Sequence, residues 1–123
     1  MARQPKAHTF RGRFNPGTDK VDWAPRPHDE PDILVGDTLI FIGVGGSVFL
    51  DFTKTKKTPF RPNQPPAPPF VYEPSAGQDL IMTVVGPPND DYPFDCAIRQ
   101  PDGTLAGLGP GKGDDIPVGP RGG

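Results

Sequence analysis

Prolines and glycines occur along nearly the whole chain, and they limit what it can fold into more than any other feature. There are 19 prolines and 16 glycines among 123 residues. Proline lacks a backbone N–H, and glycine costs about 1 kcal/mol in a helix interior, so long helices are excluded. Between these breakers lie short apolar runs rich in Val, Ile and Phe. This arrangement predicts short strands joined by loops, within one domain.

The longest apolar run spans residues 33–52 and predicts two strands. These are Ile33–Ile42 and Ser47–Phe52, joined by a glycine-rich connection. The first strand has apolar residues on both faces, so we expect it to be central in a sheet and covered on each side. The second alternates, which predicts one buried face.

Further strands are predicted in the second half of the chain. Residues 70–85 predict a strand pair around a turn at residues 73–77. Residues 92–99 alternate cleanly and place four side chains on one face: Tyr92, Phe94, Cys96 and Ile98. Residues 101–104 have the composition of a hairpin turn. We therefore expect an all-β fold, built as a two-sheet sandwich.

The sequence divides into a body and three extended segments. We expect an extended N-terminal arm at residues 1–31, a β-sandwich domain at 32–108 and a Gly/Pro-rich tail at 109–123. Lys54–Phe70 is a proline-rich loop, typical of polyproline II. Thr9–Phe14 has the alternation of a short strand. Ordering one backbone residue costs about 1–2 kcal/mol, so a few aromatic anchors cannot hold the arm unless it pairs with a sheet or a partner.

Charge gives little indication of a nucleic-acid partner, because the net charge is −2 and the pI is about 5.5. Two basic and aromatic clusters are instead the predicted protein-interaction residues: Arg3, Lys6, Phe10, Arg11, Arg13, Phe14 and Trp23 in the arm, and Lys54, Lys56, Lys57, Phe60 and Arg61 in the proline-rich loop. The start of the chain lacks the apolar core of a signal peptide, and no apolar run reaches membrane-spanning length. We expect a cytoplasmic protein, or one in a particle such as a virion assembled from the cytoplasm, without a membrane partner.

Two segments resemble the cupredoxin family over about residues 32–107. They are Leu34–Phe41 (LVGDTLIF) and Tyr92–Cys96 (YPFDC). The resemblance implies a two-sheet Greek-key sandwich, with Cys96 at the position of the family's copper thiolate. Copper sites of this type use two His, one Cys and usually a Met.

The family's other copper ligands have no counterpart at the matching positions of this chain. Where the family has a His shortly after the Cys, this chain has Arg99, Gln100 and Pro101. Leu105 stands where the Met is expected, and the upstream His position holds Ser47 or Val48. The resemblance thus implies the fold without copper, and we expect no metal and no cofactor.

Several alternatives remain open on the residues themselves. His8 or His28 could supply Cys96 with a metal partner if the arm folded over it, although neither has the local spacing of a metal site. Calcium at the paired acids of residues 90–91 or 114–115 is another alternative. The glycine-rich residues 107–113 lack the spacing of a phosphate-binding loop.

No set of residues indicates a catalytic site, so we expect a protein that is not an enzyme. Extended segments can wrap large surfaces of neighbouring subunits for little mass. The expected function is therefore that of a structural building block or decoration subunit in a larger homo- or hetero-oligomeric assembly, such as a shell or virion. The alternative is a monomeric, copper-free cupredoxin-like module that binds a small ligand or a protein.

Overall fold

The computed structural model describes residues 4–61, 69–109 and 111–120. Nine β-strands occur in these ranges: β1 Ala7–Asn15, β2 Lys20–Ala24, β3 Thr38–Val44, β4 Ser47–Asp51, β5 Val71–Tyr72, β6 Leu80–Thr83, β7 Asp90–Arg99, β8 Leu105–Ala106 and β9 Asp114–Val118. A single turn of 3₁₀ helix spans Pro27–Asp29. The same ranges contain no α-helix, and the prediction of an all-β chain is confirmed.

The strands form two sheets that pack against each other as a sandwich. The first sheet has the order β2-β1-β3-β6, in which β1 runs parallel to β3 and the other pairs are antiparallel. The second sheet has the order β5-β4-β7, and both β8 and β9 pair with β7. The chain changes sheet between β3 and β4, and again between β5 and β6. The predicted two-sheet sandwich is therefore confirmed.

The core forms where the inward faces of the two sheets meet. The predicted inward face of β7 is buried as expected: Tyr92, Phe94, Cys96 and Ile98. Phe52, which follows β4, lies at the centre of an aromatic cluster, with ring centroids 5.4–6.0 Å from those of Phe60, Tyr72 and Phe94. Aromatic pairs at such separations add about 0.5–1.5 kcal/mol beyond the burial of their area.

The expected N-terminal arm is instead part of the first sheet over residues 7–24. β1 lies between β2 and β3, with Phe10 fully buried, and its partner β2 buries Val21 and Trp23. Backbone pairing on both edges of β1 supplies the ordering that side-chain burial could not provide by itself. Residues 7–24 therefore pair with a sheet of the same chain, which is one of the two conditions under which the arm was expected to become ordered.

The expected C-terminal tail also contains a strand. β9 pairs antiparallel with residues 90–94 of β7 and buries Ile116 and Val118. The Gly119 N–H donates to the Ile33 carbonyl at 2.9 Å, which ties the end of β9 to the segment before β3. The high glycine and proline content concealed this short alternating stretch.

Two strand predictions need correction. β5 pairs with β4 and β6 pairs with β3, so residues 70–85 do not form a strand pair. The segment between β5 and β6 crosses from one sheet to the other, a route that apolar alternation does not reveal. The first strand of the long apolar run begins at Thr38 and not at Ile33, because Asp37 accepts a hydrogen bond from Leu34 N–H and closes a turn there.

The first part of the proline-rich loop is anchored in the core. Phe60 is buried, and the Thr58 and Tyr72 hydroxyls lie 3.1 Å apart in the core. The polyproline II prediction covers Lys54–Phe70, of which residues 62–68 lie outside the described residues.

Candidate functional site

An acidic cavity of about 530 Å³ lies beside β7 and β9. Its lining includes five carboxylates and two cationic side chains: Asp51, Asp91, Asp95, Asp114, Asp115, Arg26 and Lys54. Pro93 and Phe94 contribute an apolar surface to the same lining. Since acids outnumber bases, the cavity favours a cationic occupant.

The fold explains why so many acids converge there. Asp91 and Asp95 lie on the outward face of β7, and β9 pairs alongside so that Asp115 stands opposite Pro93. Asp51 of β4 stands directly opposite Asp95 in the sheet. Like charges at directly opposed positions destabilise a sheet, so a bound cation would relieve this repulsion.

Two of the lining aspartates, Asp114 and Asp115, contact residues that follow β2. His28 Nδ1 lies 2.7 Å from Asp115 Oδ1, and Arg26 Nε lies 3.2 Å from Asp114 Oδ2. The Asp114 side chain is only 4% exposed, whereas that of His28 is 52% exposed. Among the described residues, His28, Asp114 and Asp115 are the only group of three or more His, Cys, Asp or Glu residues close enough to hold one metal ion.

Only part of this group could be predicted from the sequence. The pair Asp114-Asp115 stood out as a calcium alternative, but His28 joins it across 87 positions of the chain. No local spacing signals such a contact. The carboxylates of the other acidic pair do not face a common site. Asp90 binds Lys57 at 2.6 Å, whereas Asp91 lines the acidic cavity.

Cys96 is buried in the core and is not a member of this group. Burial raises the pKa of its thiol to about 12, and the nearby carboxylates of Asp114 and Asp95 add to the rise. At neutral pH this thiol is therefore protonated in the metal-free protein. Both histidines named as its possible partners contact carboxylates instead.

A second histidine cluster is buried at the base of β1. His8 Nε2 lies 2.8 Å from Asp37 Oδ2, and His8 Nδ1 lies 3.0 Å from Glu30 Oε1. His8 and Asp37 are both buried. Asp37 also accepts hydrogen bonds from the backbone N–H groups of Lys6 and Leu34. The cluster joins three separate segments of the chain, which indicates a role in holding the first sheet together.

The proline-rich loop forms one side of another cavity, of about 420 Å³. Lys56, Lys57 and Phe60 line it together with Val85 and Tyr92. The Lys57 ammonium lies 5.5 Å from the centre of the Tyr92 ring. The structure thus brings together three of the residues that the sequence analysis named in this loop.

The predicted interaction residues differ in their exposure. The basic side chains of Lys6, Arg11, Arg13, Lys54 and Arg61 are exposed. Phe10, Trp23 and Phe60 are buried, so these aromatic rings stabilise the core of this chain and do not form an exposed contact surface. Phe14 is partly buried against the core. Arg3 lies outside the described residues.

The outer face of the first sheet carries an apolar surface, here called the isoleucine strip: Ile40, Ile42, Ile81 and Val85. Ile40 and Ile81 stand directly opposite each other on β3 and β6. Ile81 is 63% exposed and Val85 is 48% exposed. The sequence analysis expected β3 to be covered on both faces, but no described element covers this one.

Comparison of the chain with known protein families, with curated proteins and with solved structures gives no match. Among the described residues, no helix has the length and apolar character needed to cross a membrane.

Proposed function

We propose that the protein is a non-enzymatic β-sandwich that serves as a building block of a larger assembly, and that the isoleucine strip is its contact surface with a second copy of the chain. The exposure of Ile81 opposite Ile40 is the observation that carries this proposal. Fully burying one isoleucine side chain contributes about 1.5–3 kcal/mol. Covering the exposed parts of Ile81 and Val85, next to the partly buried Ile40 and Ile42, therefore favours association.

The surroundings of the strip also suit self-association. The neighbouring outward residues on β3 and β6 are Thr38 and Thr83, which stand opposite each other and carry no charge. Arg11 and Arg13 of β1 lie to one side. An apolar centre with a charged rim is the usual anatomy of a protein interface, and an uncharged centre lets two identical faces meet without burying a charge.

The finer fold assignment belongs to the same proposal. We propose a cupredoxin-like Greek-key connectivity, supported by the parallel pairing of β1 with β3 and by the repeated exchange of the chain between the two sheets.

A second candidate function is a monomeric module that binds a small cationic ligand. The acidic cavity favours it, because its lining has an excess of carboxylates over cationic groups. This candidate needs no association between copies.

Sedimentation velocity across a concentration series tests the assembly. The wild type should self-associate, and Ile81→Arg should weaken association at least tenfold because the new charge would be buried between copies. Leu108→Arg is the matched control, since Leu108 is 40% exposed and lies outside the strip; this variant should associate like the wild type. A wild type that stays monomeric at every concentration, or an equal loss in both variants, contradicts the proposal.

A further inference from the structure

We propose that His28, Asp114 and Asp115 form a binding site for a divalent transition-metal ion of the zinc class. The three side chains come from two elements that the fold brings together, the 3₁₀ helix and the start of β9. The site is distinct from the copper position implied by the resemblance, because Cys96 does not contribute to it. It is also independent of the proposed assembly.

The separations between the donor atoms suit a small ion. One ligand atom from each residue lies within 4.8 Å of the other two. Bonds of about 2.0–2.2 Å to a tetrahedral ion place its ligand atoms about 3.3 Å apart. His28 Nδ1 and Asp115 Oδ1 are 2.7 Å apart, so they must separate by roughly 0.6 Å to accept the ion. Their side chains are 52% and 25% exposed, which leaves room for that adjustment.

Asp114 provides the fixed part of the site. Its Oδ1 accepts the Asp115 N–H at 2.8 Å, and its contacts with Arg26 are 3.2 and 3.4 Å long. Charge-assisted hydrogen bonds are usually about 2.7–2.9 Å, so Arg26 holds this carboxylate loosely. A carboxylate has about four lone-pair positions, and those left over can bind a metal. Arg26 then acts as an outer partner that orients the ligand.

The donor set distinguishes zinc-class ions from calcium. Imidazole nitrogen combined with carboxylate oxygen suits Zn²⁺ and its neighbours, whereas Ca²⁺ takes about 6–8 oxygen ligands. Two aspartates balance the charge of a divalent ion. The acidic cavity, which Asp114 and Asp115 also line, leaves space for water or a ligand at a fourth position. Three other carboxylates line the cavity, Asp51, Asp91 and Asp95, and they add an electrostatic attraction for the ion.

Titration of the untagged chain with cobalt chloride, followed by visible absorption, tests the site. One Co²⁺ should bind per chain with the strong d–d bands of tetrahedral coordination, and zinc chloride should displace it. His28→Ala and Asp115→Asn should each weaken binding at least tenfold. Neither replacement removes a fully buried side chain, and circular dichroism will verify that both variants fold.

Asp91→Asn is the matched control, because it removes one negative charge from the same cavity without touching the three ligands. Its cobalt affinity should stay within twofold of the wild type. Equal weakening of cobalt binding in Asp91→Asn and Asp115→Asn would mean that only the overall negative charge of the cavity attracts the ion. That result would overturn the proposal. The absence of saturable cobalt binding would also overturn it. So would displacement of cobalt by calcium chloride at the concentrations at which zinc chloride displaces it. A sulfur charge-transfer band that disappears in Cys96→Ala would likewise contradict the proposed ligands.

Discussion

The two histidines of this chain allow a direct comparison of a buried and an exposed imidazole–carboxylate pair. His8 and Asp37 are both buried, with 2.8 Å between His8 Nε2 and Asp37 Oδ2. The other ring nitrogen of His8, Nδ1, lies 3.0 Å from Glu30 Oε1. His28 contacts Asp115 at the surface of the molecule.

Replacement of His8 with alanine should lower the free energy of unfolding by about 3 kcal/mol. Removing one partner of a buried ion pair costs about 3–5 kcal/mol, because the other charge stays buried without its partner. The expected value is at the lower end of this range because Asp37 keeps the backbone N–H groups of Lys6 and Leu34. Typical domains have about 5–15 kcal/mol of stability, so we expect the variant to fold and to be measurable.

Urea unfolding followed by the fluorescence of Trp23, the single tryptophan, measures the loss. His28→Ala is the control and should cost less than about 1 kcal/mol, as exposed ion pairs do. The metal ion must be absent from both samples so that binding does not add to the stability of one of them. If the two variants lose the same stability, burial does not determine the strength of these pairs and the reasoning is wrong.

Two further predictions concern packing and pH. Gly12→Ala should destabilise the fold by about 1–3 kcal/mol because its new Cβ would lie 2.8 Å from the buried Trp23 ring. Gly17→Ala, which meets only a flexible Asn15 side chain, should be nearly neutral in the same urea assay. Burial raises the pKa of the Cys96 thiol from 9.0 to about 12, so the unfolded chain loses this proton first and stability should fall as pH rises through that interval. Cys96→Ala should reduce the fall by up to about 1.4 kcal/mol per pH unit, and equal slopes in urea unfolding at successive pH values would contradict this.

The strands that could be read from the sequence are those with one buried face. Residues 92–99 and 47–52 alternate between apolar and other residues, and the structure buries the faces that the alternation indicates. Which strands pair was not readable, because pairing depends on where the chain crosses between sheets. The segment between β5 and β6 looks like a hairpin turn in composition but connects strands of different sheets.

The ends of the chain were misjudged for an energetic reason. The estimate for the N-terminal segment weighed backbone ordering against aromatic burial, and it counted no hydrogen bonds along the strand. β1 pairs with β3 over residues 7–13 and with β2 over residues 11–15, so each of its residues has at least one neighbouring strand. Parallel pairing of β1 with β3 joins segments about thirty residues apart, and no short motif predicts that contact.

The candidate metal site could not be predicted from the sequence, because its residues come from the two end segments whose pairing was not foreseen. Arg26 and His28 follow β2, and both contact acids at the start of β9. Lys112, just before β9, likewise binds Asp19 of the N-terminal segment at 2.6 Å. The cavity wall therefore exists only when both ends of the chain are folded against the second sheet. A ligand that binds only this folded arrangement stabilises it in proportion to the logarithm of its concentration above the dissociation constant, so metal binding and the folding of the two ends are thermodynamically linked.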